Sequence, residues 1–130
     1  KTYYNEMNVL SMHALIGAYQ PQGYEWVDEL NQVLAGNIEY FCDYVDEHFE
    51  GVSYSRSQGT YMVFLDCTEW CREHGRDIQW LLDEGARVGV GYQDGRPFHG
   101  PCHIRVNLAL PLSRVREACD RLDRYVFNAR

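Results

Sequence analysis

Hydrophobic and polar residues alternate from His103 to Ala109, with Ile104, Val106 and Leu108 on one side and Arg105, Asn107 and Ala109 on the other. A period of two over this length predicts a half-buried strand. Pro111 cannot extend a sheet, and Ser113 is placed to cap a helix behind it. A slower rhythm runs from Tyr24 to Phe49, where Val27, Leu30, Leu34, Ile38, Phe41 and Val45 recur at three- and four-residue steps. That spacing predicts one long helix with an apolar stripe, weakened at Gly36 and stopped at Gly51.

The other stretches fill in around these two. Lys1 to Asn8 has no period and reads as an incoming connection. Val9 to Tyr19 predicts a short helix with Leu10, Met12, His13, Ile16 and Tyr19 near one side, and Gln20 to Gly23 predicts a break. Val52 to Tyr54 is expected as a short strand, and Thr60 to Asp66, rich in β-branched and aromatic residues, as a longer one. Thr68 to His74 reads as a short helix or turn. Asp77 is an N-cap for a helix through Leu82 that ends near Gly85, and Arg87 to Val90 reads as a strand. Gly91 to Cys102 is a loop, and a last helix runs from Leu112 to Phe127 with Leu112, Val115, Cys119, Leu122 and Val126 on one face. The resulting fold class is α+β: a small, mostly antiparallel sheet covered by helices on one face, with the long helix packed across it.

Composition narrows the functional classes. The 130 residues are 45% hydrophobic and 14% aromatic, enough for one domain with a real core. The net charge of −7 repels a phosphate backbone, and the arginines are spread along the chain, so no nucleic-acid partner is expected. No apolar run reaches the length of a membrane span, so no membrane partner is expected either. Five cysteines at irregular spacing suit reduced thiols and a cytoplasmic location. The chain starts with Lys1, its only lysine, rather than with methionine, and is expected to be a piece of a longer protein.

Most candidate chemistry gives way to a plainer reading. Cys67, Cys71, His74, His99, Cys102 and His103 lack the tight CxxC knuckle of a zinc site. Cys102 and His103 are adjacent on a strand and so point to opposite faces, which makes them a poor nucleophile–base pair. The glycines around Val90 and Arg96 carry no phosphate-binding signature. Asp66 and Asp94 read as strand-end carboxylates that cap or turn the chain. Arg105 is the one suspicious residue, although from the pattern alone an ordinary arginine on an exposed face is the plainer reading. A guanidinium in mid-strand needs solvent or an anion, and its planar fork suits a carboxylate held by two hydrogen bonds.

Three stretches carry a family resemblance. They are Gln58 to Asp66 (QGTYMVFLD), Val88-Gly89-Val90 with the glycine-rich loop holding Phe98 and Gly100, and His103 to Ser113 (HIRVNLALPLS) followed by Val115 to Ala118 and Arg121-Leu122. Together they resemble the C-terminal small domain of the fold-type I pyridoxal-phosphate enzymes of aminotransferase class I/II, and within these the MalY/PatB-like cystathionine β-lyases. The long helix, with Asn37 inside it, resembles the one that links the two domains of such enzymes. The chain departs from the pattern at the loop from Gln93 to Pro101, with Arg96, Pro97 and His99, and at Leu112, where many relatives have arginine.

The resemblance implies that Arg105 binds the α-carboxylate of an amino-acid substrate, with Asn107 supporting the strand. It implies a pyridoxal phosphate cofactor held by a large domain of the same chain, which would supply the Schiff-base lysine. On this reading residues 1–23 are the connection and short helix from the large domain and residues 24–130 the C-terminal small domain. The parent is expected to be a homodimeric carbon–sulfur β-lyase acting on cystathionine or related S-substituted cysteines, and the fragment alone to be inactive. An aminotransferase of the same architecture is the alternative. Outside enzymes, a free-standing regulatory module holding a small carboxylate at Arg105, or a structural domain with Arg105 in a surface ion pair, would fit the same strand.

Overall fold

The computed structural model describes residues 8–129. Apart from Asn8, the incoming connection expected at the start lies outside the described residues. Contacts group the chain into two units, residues 1–33 and residues 34–130.

In the first unit α1 (Val9–Ala18) opens with Asn8, whose side chain accepts a 2.8 Å hydrogen bond from the Ser11 amide. The break after it is shorter than its residues suggested. The next helix, α2 (Pro21–His48), begins three residues earlier than expected, because proline fits the first helical turn, where its missing N–H is no loss. Tyr19 and Tyr24 meet edge to face across the turn, their ring centres 6.2 Å apart. No residue of α1 is buried.

In the second unit the rest of α2 runs to His48, and four strands follow: β1 (Ser53–Tyr54), β2 (Met62–Asp66), β3 (Gln93–Asp94) and β4 (His103–Asn107). They form one antiparallel sheet in the order β1-β2-β4-β3. The helices α3 (Thr68–His74), α4 (Ile78–Arg87) and α5 (Leu112–Leu122) complete the α+β fold. Val63 and Leu65 of β2 and Ile104 and Val106 of β4 face the core, where they join Phe41, Cys42 and Val45 of α2, Leu81 of α4, and Val115, Cys119 and Leu122 of α5. Each fully buried aliphatic side chain contributes about 1.5–3 kcal/mol. The apolar stripe of α2 is buried only from Asn37 onward, while Val27 is exposed and Leu30 and Leu34 are half-buried.

Three expected boundaries move. The helix begun at Asp77, whose carboxylate accepts from the Trp80 amide at 2.8 Å, continues through Gly85 to Arg87. It closes at Gly89, which takes φ +78°; the Gly89 amide donates to Ala86 O at 3.0 Å and the Val90 amide to Gly85 O at 2.8 Å. These paired bonds satisfy the last carbonyls of the helix, so Arg87 to Val90 forms a helix stop rather than a strand. The strand lies three residues beyond Val90, at Gln93–Asp94. Ser113 does not cap α5: Pro111 holds the cap position, with the Arg114 amide donating to its carbonyl at 2.8 Å. The last helix widens after Leu122 into a π turn (Asp123–Phe127), closed by the Asn128 amide on Asp123 O at 3.0 Å.

Candidate functional site

Strand pairing puts the site on the sheet face opposite the core. Phe64 lies across from Arg105, Met62 from Asn107, and Gln93 from Arg105 on the other side. Side chains alternate along a strand, so Met62, Phe64, Asp66, Gln93, His103, Arg105 and Asn107 share one face. None of them is buried.

Arg105 is the centre of this face. It is half-buried, yet among the described residues no carboxylate lies within ion-pair distance of its guanidinium. The other described arginines either reach a carboxylate, as Arg96 reaches Asp94 at 2.7 Å, or are exposed, as Arg76, Arg116 and Arg124 are. The Arg105 Nη2 donates to Met62 Sδ at 2.8 Å, and Cζ stands 3.9 Å from the Phe98 ring centre. A thioether is a weak acceptor and an aromatic face a soft one, so neither neutralises the charge. The in-plane donors of the fork therefore keep their capacity for an anion.

The rest of the face supports that arginine. The Asn107 Oδ1 accepts from the Ala109 amide at 2.8 Å, a local turn that ends β4. Beneath the loop, His103 and Phe64 stack with ring centres 4.6 Å apart. His103 Nε2 lies 3.8 Å from Asp66 Oδ2. Burial works to raise the Asp66 carboxyl, but hydrogen bonds from Thr68 and the nearby His103 outweigh it, and the group sits below the usual carboxylate range. Asp66 and Asp94 belong to separate arrangements. Asp66 turns the chain ahead of α3, its Oδ1 accepting from the Thr68 amide at 2.9 Å, while Asp94 holds Arg96.

The loop that carries Phe98 is fixed onto the sheet. Residues Arg96–Phe98 form one 3-10 turn, and His99 follows in the left-handed region at φ 62°. The Gly95 amide donates to His103 O at 2.8 Å and the Gly100 amide to Gly95 O at 3.1 Å. A Cβ on Gly100 would fall 2.5 Å from Phe64 Cζ and 2.6 Å from His103 Cβ, so only glycine permits this approach.

Alternation alone gave the sheet face of Arg105, while its candidate role came from the family resemblance; its contacts with Met62 and Phe98 were not readable. Met62 could have been placed beside Arg105 from the pairing of the two strands. Phe98 lies in an irregular loop whose path no periodicity gives.

No family model matches the chain. It is 34% identical to a Mycobacterium leprae protein assigned by name to cystathionine beta-lyase, a match covering 83% of this chain and 30% of that relative. Among solved structures, a PLP-bound protein of Clostridium difficile 630 described as an aminotransferase superposes with a TM-score of 0.79 at 25% identity, over 89% of this chain and 30% of that one. The PLP-bound C-S lyase from Staphylococcus hominis gives a TM-score of 0.82 at 21% identity, over 93% of this chain and 32% of that one. The chain thus spans about 30% of the length of the curated relatives it matches. The resemblance read from its motifs holds in these relatives, and its fold is theirs over that part.

Proposed function

We propose that this chain is the substrate-carboxylate-binding small domain of a pyridoxal-phosphate carbon–sulfur β-lyase. Its substrates would be cystathionine or related S-substituted cysteines. The observation that carries the reading is Arg105, a half-buried guanidinium held by a thioether and an aromatic face rather than by a carboxylate. Such a group is suited to take the α-carboxylate of an amino acid through two parallel hydrogen bonds. Its part is orientation: fixing the carboxylate fixes where the amine and Cα stand relative to the reacting group.

The described residues contain no lysine, so they offer no amine to join the cofactor covalently. The cofactor's cradle is therefore assigned to the large domain of the same chain, within the part of the relatives that this sequence does not span. Pyridoxal phosphate, when bound, supplies the electron sink that lets Cα–H and C–S bonds break. The complete protein is proposed to work as a homodimer, as the family resemblance implies. A cytoplasmic location is supported by five free thiols. Among the described residues no helix is long and apolar enough to cross a membrane.

An aminotransferase is the second reading, favoured by the description of the Clostridium difficile neighbour. The complete protein given cystathionine separates the two. Pyruvate and a thiol released without an added keto acid support the lyase, and strict dependence on a keto acid acceptor supports transamination. Failure of both on a protein loaded with the cofactor would overturn the enzymatic reading.

A further inference from the structure

Phe98 is a large apolar side chain left 48% exposed in a loop that is otherwise pinned to the sheet at several points. The Arg105 guanidinium carbon stands over its ring, with Cζ 3.9 Å from the ring centre. We propose that Phe98 is a positioning residue: its ring, seated against Cζ, holds the Arg105 fork in the orientation from which it grips the substrate carboxylate. The proposal rests on the reading of Arg105 as the carboxylate ligand.

An arginine side chain has four rotatable bonds in its stem, and its freedom must be lost before two hydrogen bonds to one carboxylate can form together. A ring held against Cζ restricts that freedom at the guanidinium itself, and it takes the place of no carboxylate acceptor. On the edge, Nη2 rests on Met62 Sδ at 2.8 Å. Sulfur is a poor acceptor, and a carboxylate displaces it without leaving an unsatisfied strong partner behind. The two contacts therefore differ in kind. The ring stays when ligand arrives, and the thioether yields.

The ring itself is held from below. Asp94 accepts from both the amide and the side chain of Arg96, at 2.9 and 2.7 Å, which fixes the first residue of the 3-10 turn. His99 leaves that turn in the left-handed region, and Gly100 brings the backbone down onto Phe64 and His103, which flank Arg105 on the same sheet face. Phe98 is thereby presented from a rigid loop rather than from a mobile one. Burial does not account for it, since about half of the residue faces solvent.

The test uses the complete protein loaded with its cofactor, and reads ligand affinity from the cofactor's absorbance. Two ligands are compared: L-norleucine, which has no sulfur leaving group, and pentylamine, the same molecule without its carboxylate. Phe98→Leu is expected to weaken norleucine about tenfold and leave pentylamine unchanged, while Phe98→Tyr, which keeps the ring face, stays within about twofold of the parent for both. Arg105→Ala run alongside separates the two levels. If it weakens norleucine selectively while Phe98→Leu does not, the positioning role is overturned and the carboxylate reading stands. If Arg105→Ala leaves norleucine unchanged, the carboxylate reading fails and the Phe98 proposal with it. Equal weakening of both ligands by Phe98→Leu would also overturn the proposal, because it would report general damage to the site.

Discussion

The Asn37 carboxamide donates to the Leu108 carbonyl at 2.9 Å and to the Leu110 carbonyl at 2.7 Å. It is the one polar side chain buried in the core among the described residues, 1% exposed in the middle of α2. Both carbonyls lie just beyond the end of β4, where the sheet no longer supplies them with partners. One helix side chain thus ties down the segment that leaves the Arg105 strand.

Replacing Asn37 with leucine should therefore destabilise the protein by about 1–3 kcal/mol, since one buried and one part-buried carbonyl lose their donor together. Urea unfolding of the complete protein checks this. A loss under about 1 kcal/mol would mean that water reaches the carbonyls in place of the amide.

Gly51 follows α2 at φ +78°, and an added Cβ would stand 3.0 Å from the Trp70 amide nitrogen, which donates to the Gly51 carbonyl at 3.0 Å. Gly51→Ala combines a disfavoured backbone with a contact against α3, and should cost about 1–3 kcal/mol. Gly36→Ala is the control: nothing lies within 4 Å of its Cβ position, and a mid-helix alanine should raise the melting temperature slightly.

These two glycines also show how far the sequence could be read. Gly51 was legible as a helix stop and Gly36 as a weak point, because both follow from backbone freedom alone. Arg105 was legible for a similar reason: alternation assigns its face without reference to any other element. Gly89 misled, since Arg87 to Val90 has the composition of a strand and becomes a helix stop only through bonds back to Gly85 and Ala86. The contacts of Asn37 and Phe98 were illegible. The partners lie 71 residues and 7 residues away, respectively, and no local pattern specifies either contact.

The buried thiols predict a stability that declines in alkali. Burial pushes the Cys119 thiol up to about 12, with Asp120 adding to it, and burial raises Cys67 as well, from an ordinary value of 9.0. A folded-state value above the unfolded one means that stability is full below pH 9 and is lost as pH rises toward 12. Each such thiol removes about 1.4 kcal/mol per pH unit in that window. The urea midpoint should fall from pH 9 to pH 10, and less steeply in Cys119→Ala. Iodoacetamide at pH 8 should leave Cys67 and Cys119 unlabelled in mapped peptides of the native protein.

Substitution of Arg105 tests the site most directly. Arg105→Ala removes the fork that would hold the substrate carboxylate and should lower kcat/KM by about 2–4 kcal/mol, or roughly 30- to 900-fold, mainly through KM. Arg105→Lys keeps the charge but not the planar fork, and a compact ammonium cannot offer two parallel bonds from the same seat against Phe98. It should fall between the parent and the alanine variant. Neither change should unfold the protein, because the guanidinium makes no ion pair in the described structure and its sulfur contact is weak. Steady-state kinetics beside a urea titration separates the effects. A decrease in kcat/KM below tenfold for Arg105→Ala, with stability unchanged, would argue against Arg105 as the carboxylate ligand.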